Sequence, residues 1–273
     1  MTALRTLRTL QTLWMALRDA LAAEWTKART LASTGWLLLA AVVLTVAVGI
    51  AVAAAVTCPA GNCAEDPAKI SLTGIYLGQA VVAILAVLMI SSEYSTGMVR
   101  VTLAAMPGRT TVLAAKAVVL TSLVLAAGVI AVLTSVLAGH LILPGHGIDP
   151  AHGYPSLSLG SAPVLRATIG SVLYLGLIAL LSLGAATAVR DSAAAIGIVL
   201  GLLYLVPIIS TVLGGSLARH LQQIGPMTAG LAIQATTGLA HLPIGPWAGL
   251  GVLAAWAAAA LLAGGLLLRL RDA

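Results

Sequence analysis

The sequence predicts an all-α integral membrane protein with six transmembrane helices, an N-terminal interfacial amphipathic helix and short external re-entrant helices. Three observations predict it. The chain is 60% hydrophobic and only 8% charged, too apolar to hide its surface in a core of its own. Its charges leave long runs bare; between Arg219 and Arg269 no Asp, Glu, Lys or Arg occurs. Six of the bare runs reach the ~20 residues that a helix needs to cross hydrocarbon. A charged side chain costs kilocalories at bilayer depth, so the charges mark where the chain leaves the membrane.

The six spans are Trp36 to Val56, Ile70 to Ile90, Val112 to His140, Ala167 to Val189, Ala193 to Gly214 and Trp247 to Leu268. They define a transmembrane domain over 36–268, preceded by an interfacial region over 1–35 and followed by a short tail over 269–273. The runs are continuous Ala, Leu, Val and Gly, without the alternation of barrel strands. Lys116 alone breaks the charge-free pattern of a span, and its place near the start of the third lets it snorkel to the interface.

Loop cations set the orientation. One side carries Arg5, Arg8, Arg18, Lys27, Arg29, Arg100, Arg109, Lys116, Arg190, Arg269 and Arg271. The other carries Lys69, Arg166 and Arg219. This bias places both termini in the cytoplasm. The formal charge of +6 is thereby a topology signal. It does not mark a nucleic-acid face, because the cations are spread over several loops. No cleavable signal peptide is expected, since Met1 to Thr34 is rich in charge and lacks a short apolar core.

Ahead of the first span, Leu4, Leu7, Leu10, Leu13, Trp14, Leu17, Leu21 and Trp25 recur at helical spacing. They cover one face, with Arg5, Arg8, Arg18, Asp19 and Arg29 on the other. Such a helix lies in the membrane surface with its cations on anionic headgroups. The alternative is a partner-binding or partly disordered tail. Trp14, Trp25 and Trp36 are eleven apart, close to three turns, and would share a stripe at headgroup level.

The segment after the second span is the most distinctive chemically. It reads Ser91-Ser92-Glu93-Tyr94-Ser95-Thr96-Gly97-Met98-Val99-Arg100, then Leu103, Met106-Pro107-Gly108-Arg109 and Lys116. Ser92 or Ser95 can cap a short helix, Gly97 permits a sharp turn, and Pro107-Gly108 is a turn signal. The residues alone allow a structured surface element or a plain re-entry loop whose cations set topology. At Arg190-Asp191-Ser192, Asp191 or Ser192 can serve as the N-cap of the fifth span.

None of the three lysines (Lys27, Lys69, Lys116) stands in a Gly-x-x-x-x-Gly-Lys phosphate loop, so the chain does not hydrolyse ATP by that device. No carboxylate lies deep inside a span, as ion-coupled carriers usually require. His140, His146 and His152 line a Pro/Gly-rich external loop, and His220 and His241 flank the next; their spacing does not match a zinc site. No metal site and no hydrolytic constellation is expected. Cys58 and Cys63 enclose Pro59-Ala60-Gly61-Asn62 and either form a disulfide in an oxidising exterior or remain two thiols.

Gly197…Gly201 and Gly245…Gly249 match small-residue packing spacing and read first as contacts within the chain. Pro207 is expected to kink or end a half-helix in the fifth span. Gly214 to Pro246, apolar and broken by Gly225-Pro226 and Pro243-Ile244-Gly245-Pro246, reads as short helices dipping into the outer leaflet. The few polar groups of the spans (Ser171, Tyr174, Ser182, Thr187, Tyr204, Ser210) suit a hydrophobic or amphipathic cargo.

Glu24-Trp25-Thr26-Lys27 ahead of the first span resembles the N-terminal motif of the ABC-2 permease family, the membrane subunits of one class of ATP-binding cassette exporter. Glu93-Tyr94-Ser95-Thr96-Gly97 with Leu103, Pro107, Arg109 and Lys116 resembles that family's pattern after its second span. Arg190 and the terminal Arg271-Asp272-Ala273 are similar to actinobacterial members. The stretch before Trp14 departs from the pattern.

The resemblance implies that Glu93, Tyr94, Ser95, Thr96, Gly97 and Arg100 form a coupling helix seated on a separate cytoplasmic ATPase, with Arg190 at a smaller second contact. It implies a dimer of identical or different permease chains meeting through the first and fifth spans. The setting would be a bacterial cell membrane, with no cofactor in this chain and ATP and magnesium on the partner. The competing readings are an ion-coupled secondary carrier and a non-transporting membrane scaffold or membrane-embedded enzyme.

Overall fold

A computed structural model describes residues 2–58, 66–95 and 108–270, with side chains except those of residues 2–14, 95 and 109. Every regular element among the described residues is helical. Helix α1 (Thr2–Thr30) is followed after one residue by α2 (Ala32–Ala55). The second span is split into α3 (Pro67–Leu72) and α4 (Ile75–Ser95). Then come α5 (Arg109–Ile142), α6 (Ala162–Val189) and α7 (Ser192–Leu213). Two short helices, α8 (Gly215–Ile224) and α9 (Pro226–Leu231), precede the last span, α10 (Pro246–Leu270). Six candidate spans are long and apolar enough to cross a membrane, and the molecule is an all-α membrane protein.

Helix α6 is the axis. It packs against α4, α5, α7 and α10, and 61% of its most apolar window is buried. The corresponding share is 17% for α7 and 22% for both α2 and α10, which therefore present most of their surface outward. Trp36, Ile208, Val212 and Leu262 stand among the exposed large side chains, as hydrocarbon solvent allows.

Small residues set the helix spacing. A Cβ on Gly184 of α6 would lie 2.5 Å from backbone atoms of Ala260 and Leu261 in α10. One on Gly74, in the break between α3 and α4, would lie 1.7 Å from the carbonyl oxygen of Thr45 in α2. The second span is thus not the continuous rod expected, because the chain turns at Thr73-Gly74. Gly249 does pack within the chain, against the Ala229 carbonyl, as its spacing suggested. Gly197, Gly201 and Gly245 do not: none meets another helix among the described residues, so the fifth-span pair does not make the packing expected of it there.

The Gly214–Pro246 segment turns at Gly214 and Gly215, whose φ values of 61° and 65° favour glycine. It then folds back through α8, α9 and 3₁₀ turns at 232–234 and 239–241. Pro226, Met227, Ala229 and Leu231 are buried, so α9 is inserted into the bundle rather than lying on it. Trp256 Nε1 donates to the Ile224 carbonyl (2.8 Å), and Gln223 Nε2 donates to that of Pro243 (2.8 Å). Helix α7 runs through Pro207 without ending there.

Gly184→Ala is expected to lower stability by about 1–3 kcal/mol, because the new methyl meets backbone that cannot rotate away. Gly197→Ala, facing open space, should leave stability within ~0.5 kcal/mol. Thermal unfolding of the two purified variants in one detergent checks the contrast.

Candidate functional site at the end of the bundle shared by α1 and α10

Helix α1 reaches the bundle through residues four apart. Ala20, Glu24 and Ala28 share one face, and all three are buried where α1 packs on α5. Two small residues let the helices approach and leave the carboxylate between them. The last turn of α4 supplies Glu93, and the second turn of α5 supplies Lys116. Gly265 of α10 lies beside Leu113, so the last span ends at this same end.

Lys116 is 1% exposed. Its Nζ donates to Glu24 Oε2 (2.6 Å), to Glu93 Oε1 (2.8 Å) and to the Met89 carbonyl (3.3 Å). An ammonium group has three N–H donors, and each has an acceptor here. Lys27 Nζ also donates to Glu93 Oε1 and stands 3.9 Å from Glu24 Oε1. Two carboxylates and two ammonium groups balance in charge and join three elements that are remote in sequence. The snorkelling expected of Lys116 is thus corrected: two glutamates come to it, and it stays inside.

Beside this quartet, Arg190 ends α6. Its φ of 64° is left-handed, a strained choice for a non-glycine residue. The conformation turns its guanidinium over the Tyr94 ring, 5.5 Å from the centroid, a cation–π contact. Asp191 is the N-cap of α7 and accepts from the Ala194 amide (2.8 Å). Of the two capping candidates at this turn, Asp191 performs the task.

Glu93, Tyr94 and Arg190 therefore converge. Ser95 closes α4, and its side chain, with Thr96, Gly97, Arg100 and the rest of 96–107, lies outside the described residues. So does Cys63; Cys58 is buried and disulfide-bonded, and its amide donates to the His146 carbonyl (3.0 Å). Among the described residues no three His, Cys, Asp or Glu side chains gather as a metal site would require. His152 instead hydrogen-bonds Asp149 (2.7 Å), and that bond holds the Asp149 carboxyl below the usual carboxylate range.

The face by which α1 packs on the bundle is distinct from the apolar face expected to lie in the membrane surface. Trp25 and Met15 are exposed, Leu17 and Leu21 half-buried, and the contact runs along Ala20, Glu24 and Ala28. Leu31 (φ −80°, ψ 108°) separates α1 from the helix that carries Trp36, so Trp25 and Trp36, both exposed, do not lie on one continuous helix; the side chain of Trp14 lies outside the described residues. In the sequence Glu24 stands out only within the Glu24-Trp25-Thr26-Lys27 motif, and Lys27 there and among the loop cations. The signal that could have placed Glu24 was its position between two alanines at spacing four, a carboxylate at the centre of a small-residue stripe.

Lys116→Met leaves two buried carboxylates facing each other with only Lys27 beside them. We expect a loss of about 3–5 kcal/mol. Adding Glu24→Gln and Glu93→Gln should recover part of it, since the two buried carboxylates are then neutral and only the partly exposed Lys27 is left without its partners. Lys27→Met, at a partly exposed site, should cost about 1 kcal/mol or less. Detergent-solubilised thermal unfolding of the four proteins measures the series; equal losses for Lys27→Met and Lys116→Met would contradict the hierarchy.

No protein-family model matches this chain, and no curated protein matches it. The chemistry of these residues is what bears on function.

Proposed function

We propose that the chain is the membrane-spanning subunit of an ATP-binding cassette exporter of the ABC-2 type. It moves a hydrophobic or amphipathic substrate out of a bacterial cell, and a separate cytoplasmic ATPase powers it. The observation that carries this reading is the Glu24–Lys27–Glu93–Lys116 quartet. It locks the N-terminal helix to the two span ends that flank residues 96–107, the segment assigned to the ATPase contact. A force applied to that segment is transmitted to α1, α4 and α5 together, because their junction is ionic, buried and short.

Three further features support it. Six apolar helices provide the membrane domain. The sequence has no phosphate loop, so energy comes from elsewhere. The cations are concentrated on the side where the quartet lies, which makes that side cytoplasmic. A dimer through the outward faces of α2 and α7 accords with their low burial.

One observation favours a second reading. A lysine at 1% exposure between two glutamates is the kind of ionisable group an ion-coupled carrier uses. Its place at the bundle end, and not at mid-membrane, weighs against that role.

The chain should copurify with a P-loop ATPase encoded by a neighbouring reading frame. Gly97→Asp combined with Arg100→Glu, which spares the quartet, should cut that capture by ~tenfold or more and abolish nucleotide-dependent export from proteoliposomes. Unchanged capture would remove the coupling assignment. Transport driven by an ion gradient without nucleotide would replace the exporter with a carrier.

A further inference from the structure

At the opposite end of the bundle lies a cavity of about 490 Å³. Ligand sites usually occupy roughly 300–1,000 Å³. This one is bounded by the second span, the end of α7 and the inserted segment after it. Its lining is divided. Met227, Leu231, Leu242 and Ile244 give an apolar wall, while Lys69, Thr73, Gln222 and Gln234 bring polar groups.

Among the described residues that line the cavity, Lys69 is the one charged side chain and none is a carboxylate. It is exposed and makes no ion pair among the described residues. Asp66, three residues earlier, is fully used. Its Oδ1 accepts from the Ala68 amide (3.1 Å) and the Thr236 hydroxyl (2.6 Å), and its Oδ2 accepts from the amides of Thr236 and Thr237 (3.0 Å for the latter). Arg166 donates to the Ala235 carbonyl. These bonds fix the chain after Gln234 against the start of α3.

Gln234 is thus held on the cavity wall. It is 2% exposed, and its Nε2 has no hydrogen-bond partner among the described residues. A buried donor without an acceptor carries a desolvation cost that a bound acceptor removes. A positive charge, an unanswered amide and an apolar wall in one cavity specify a ligand with an acidic head and a hydrocarbon tail.

We propose that this cavity binds an anionic amphiphile, its carboxylate or phosphate answered by Lys69 and Gln234 and its chain lying along Met227, Leu231, Leu242 and Ile244. Binding is a property of this chain alone and does not rest on the exporter reading. The same chemistry could come from an acidic membrane lipid or from a soluble single-chain acid.

The full chain in nanodiscs of zwitterionic lipid, titrated calorimetrically with dodecyl phosphate against empty discs, tests the site. Saturable binding is expected. Lys69→Gln should weaken it ~tenfold or more, and Gln234→Leu roughly fivefold. Lys69→Arg should stay within ~threefold of the parent, because the charge and donors remain. Lys69 is exposed, so its variants should keep the parent's thermal midpoint. A second series adds phosphatidylglycerol to the discs. Competition with dodecyl phosphate identifies the lipid as a source of the head group, and no competition identifies a soluble acid; both support the site. No saturable binding, equal binding by Lys69→Gln, or equal binding of dodecyltrimethylammonium would overturn it.

Discussion

Hydrocarbon supplies no hydrogen bonds and screens no charge, so the polar groups along six helices gain by finding partners inside the chain. The small hydroxyls show the simplest solution. Thr45, Ser71, Ser182 and Thr187 each donate to the carbonyl four residues earlier in their own helix. They cost the bundle nothing in partners and leave the apolar surface unbroken. Larger groups cannot do this. Gln79 needs both Tyr174, whose hydroxyl donates to its Oε1, and the Met227 sulfur, 3.2 Å from its Nε2. That trio links α4, α6 and the inserted helix α9, and all three residues are buried. Lys116 takes the same principle to its limit, with every donor matched by an acceptor.

The inserted segment follows from this constraint as well. A stretch as apolar as 214–246 gains little from water, but its irregular backbone cannot face lipid. It meets both conditions by folding back against α6 and α10 and capping its turns on side chains. Asp66 is the anchor: one carboxylate takes the backbone of Thr236 and Thr237 and the first free amide of α3. Four donors on one buried carboxylate make this turn specific in place, where apolar packing alone would allow it to slide.

How far these features were legible in the sequence depends on what kind of signal carried them. The spans were legible because length and absence of charge are properties of a run, and no partner has to be known. The re-entrant helices were legible for a similar reason, since glycine–proline pairs interrupt an apolar run that is too long for water. The α3/α4 break was not, because Thr73-Gly74 looks like ordinary span composition and its geometry depends on the Thr45 carbonyl, 29 residues earlier. Lys116 was seen but misplaced, because its environment is made by Glu24 and Glu93 on other helices. Gln79 and Asp66 carry no signal in the sequence, because the groups that answer them stand on elements 95 to 171 residues away. Packing partners, and with them the role of each buried polar residue, are decided in three dimensions.

The two polar ends of the molecule are joined by the same helices. Helix α4 begins beside Thr73 and Tyr76 on the cavity and ends at Glu93 in the quartet. At about 1.5 Å per residue it spans most of a bilayer without interruption. Helix α6 runs beside it, with Arg166 near the cavity and Arg190 over Tyr94. The Gln79–Tyr174 bond ties the two together between those ends. The turn at Thr73-Gly74 lies between α4 and α3, which the Asp66 cap holds in place. Among the described residues that turn is the break in the second span; it is packed against the Thr45 carbonyl of α2, and Thr73 within it lines the cavity, so the two polar ends share one helix that is interrupted only beside the cavity.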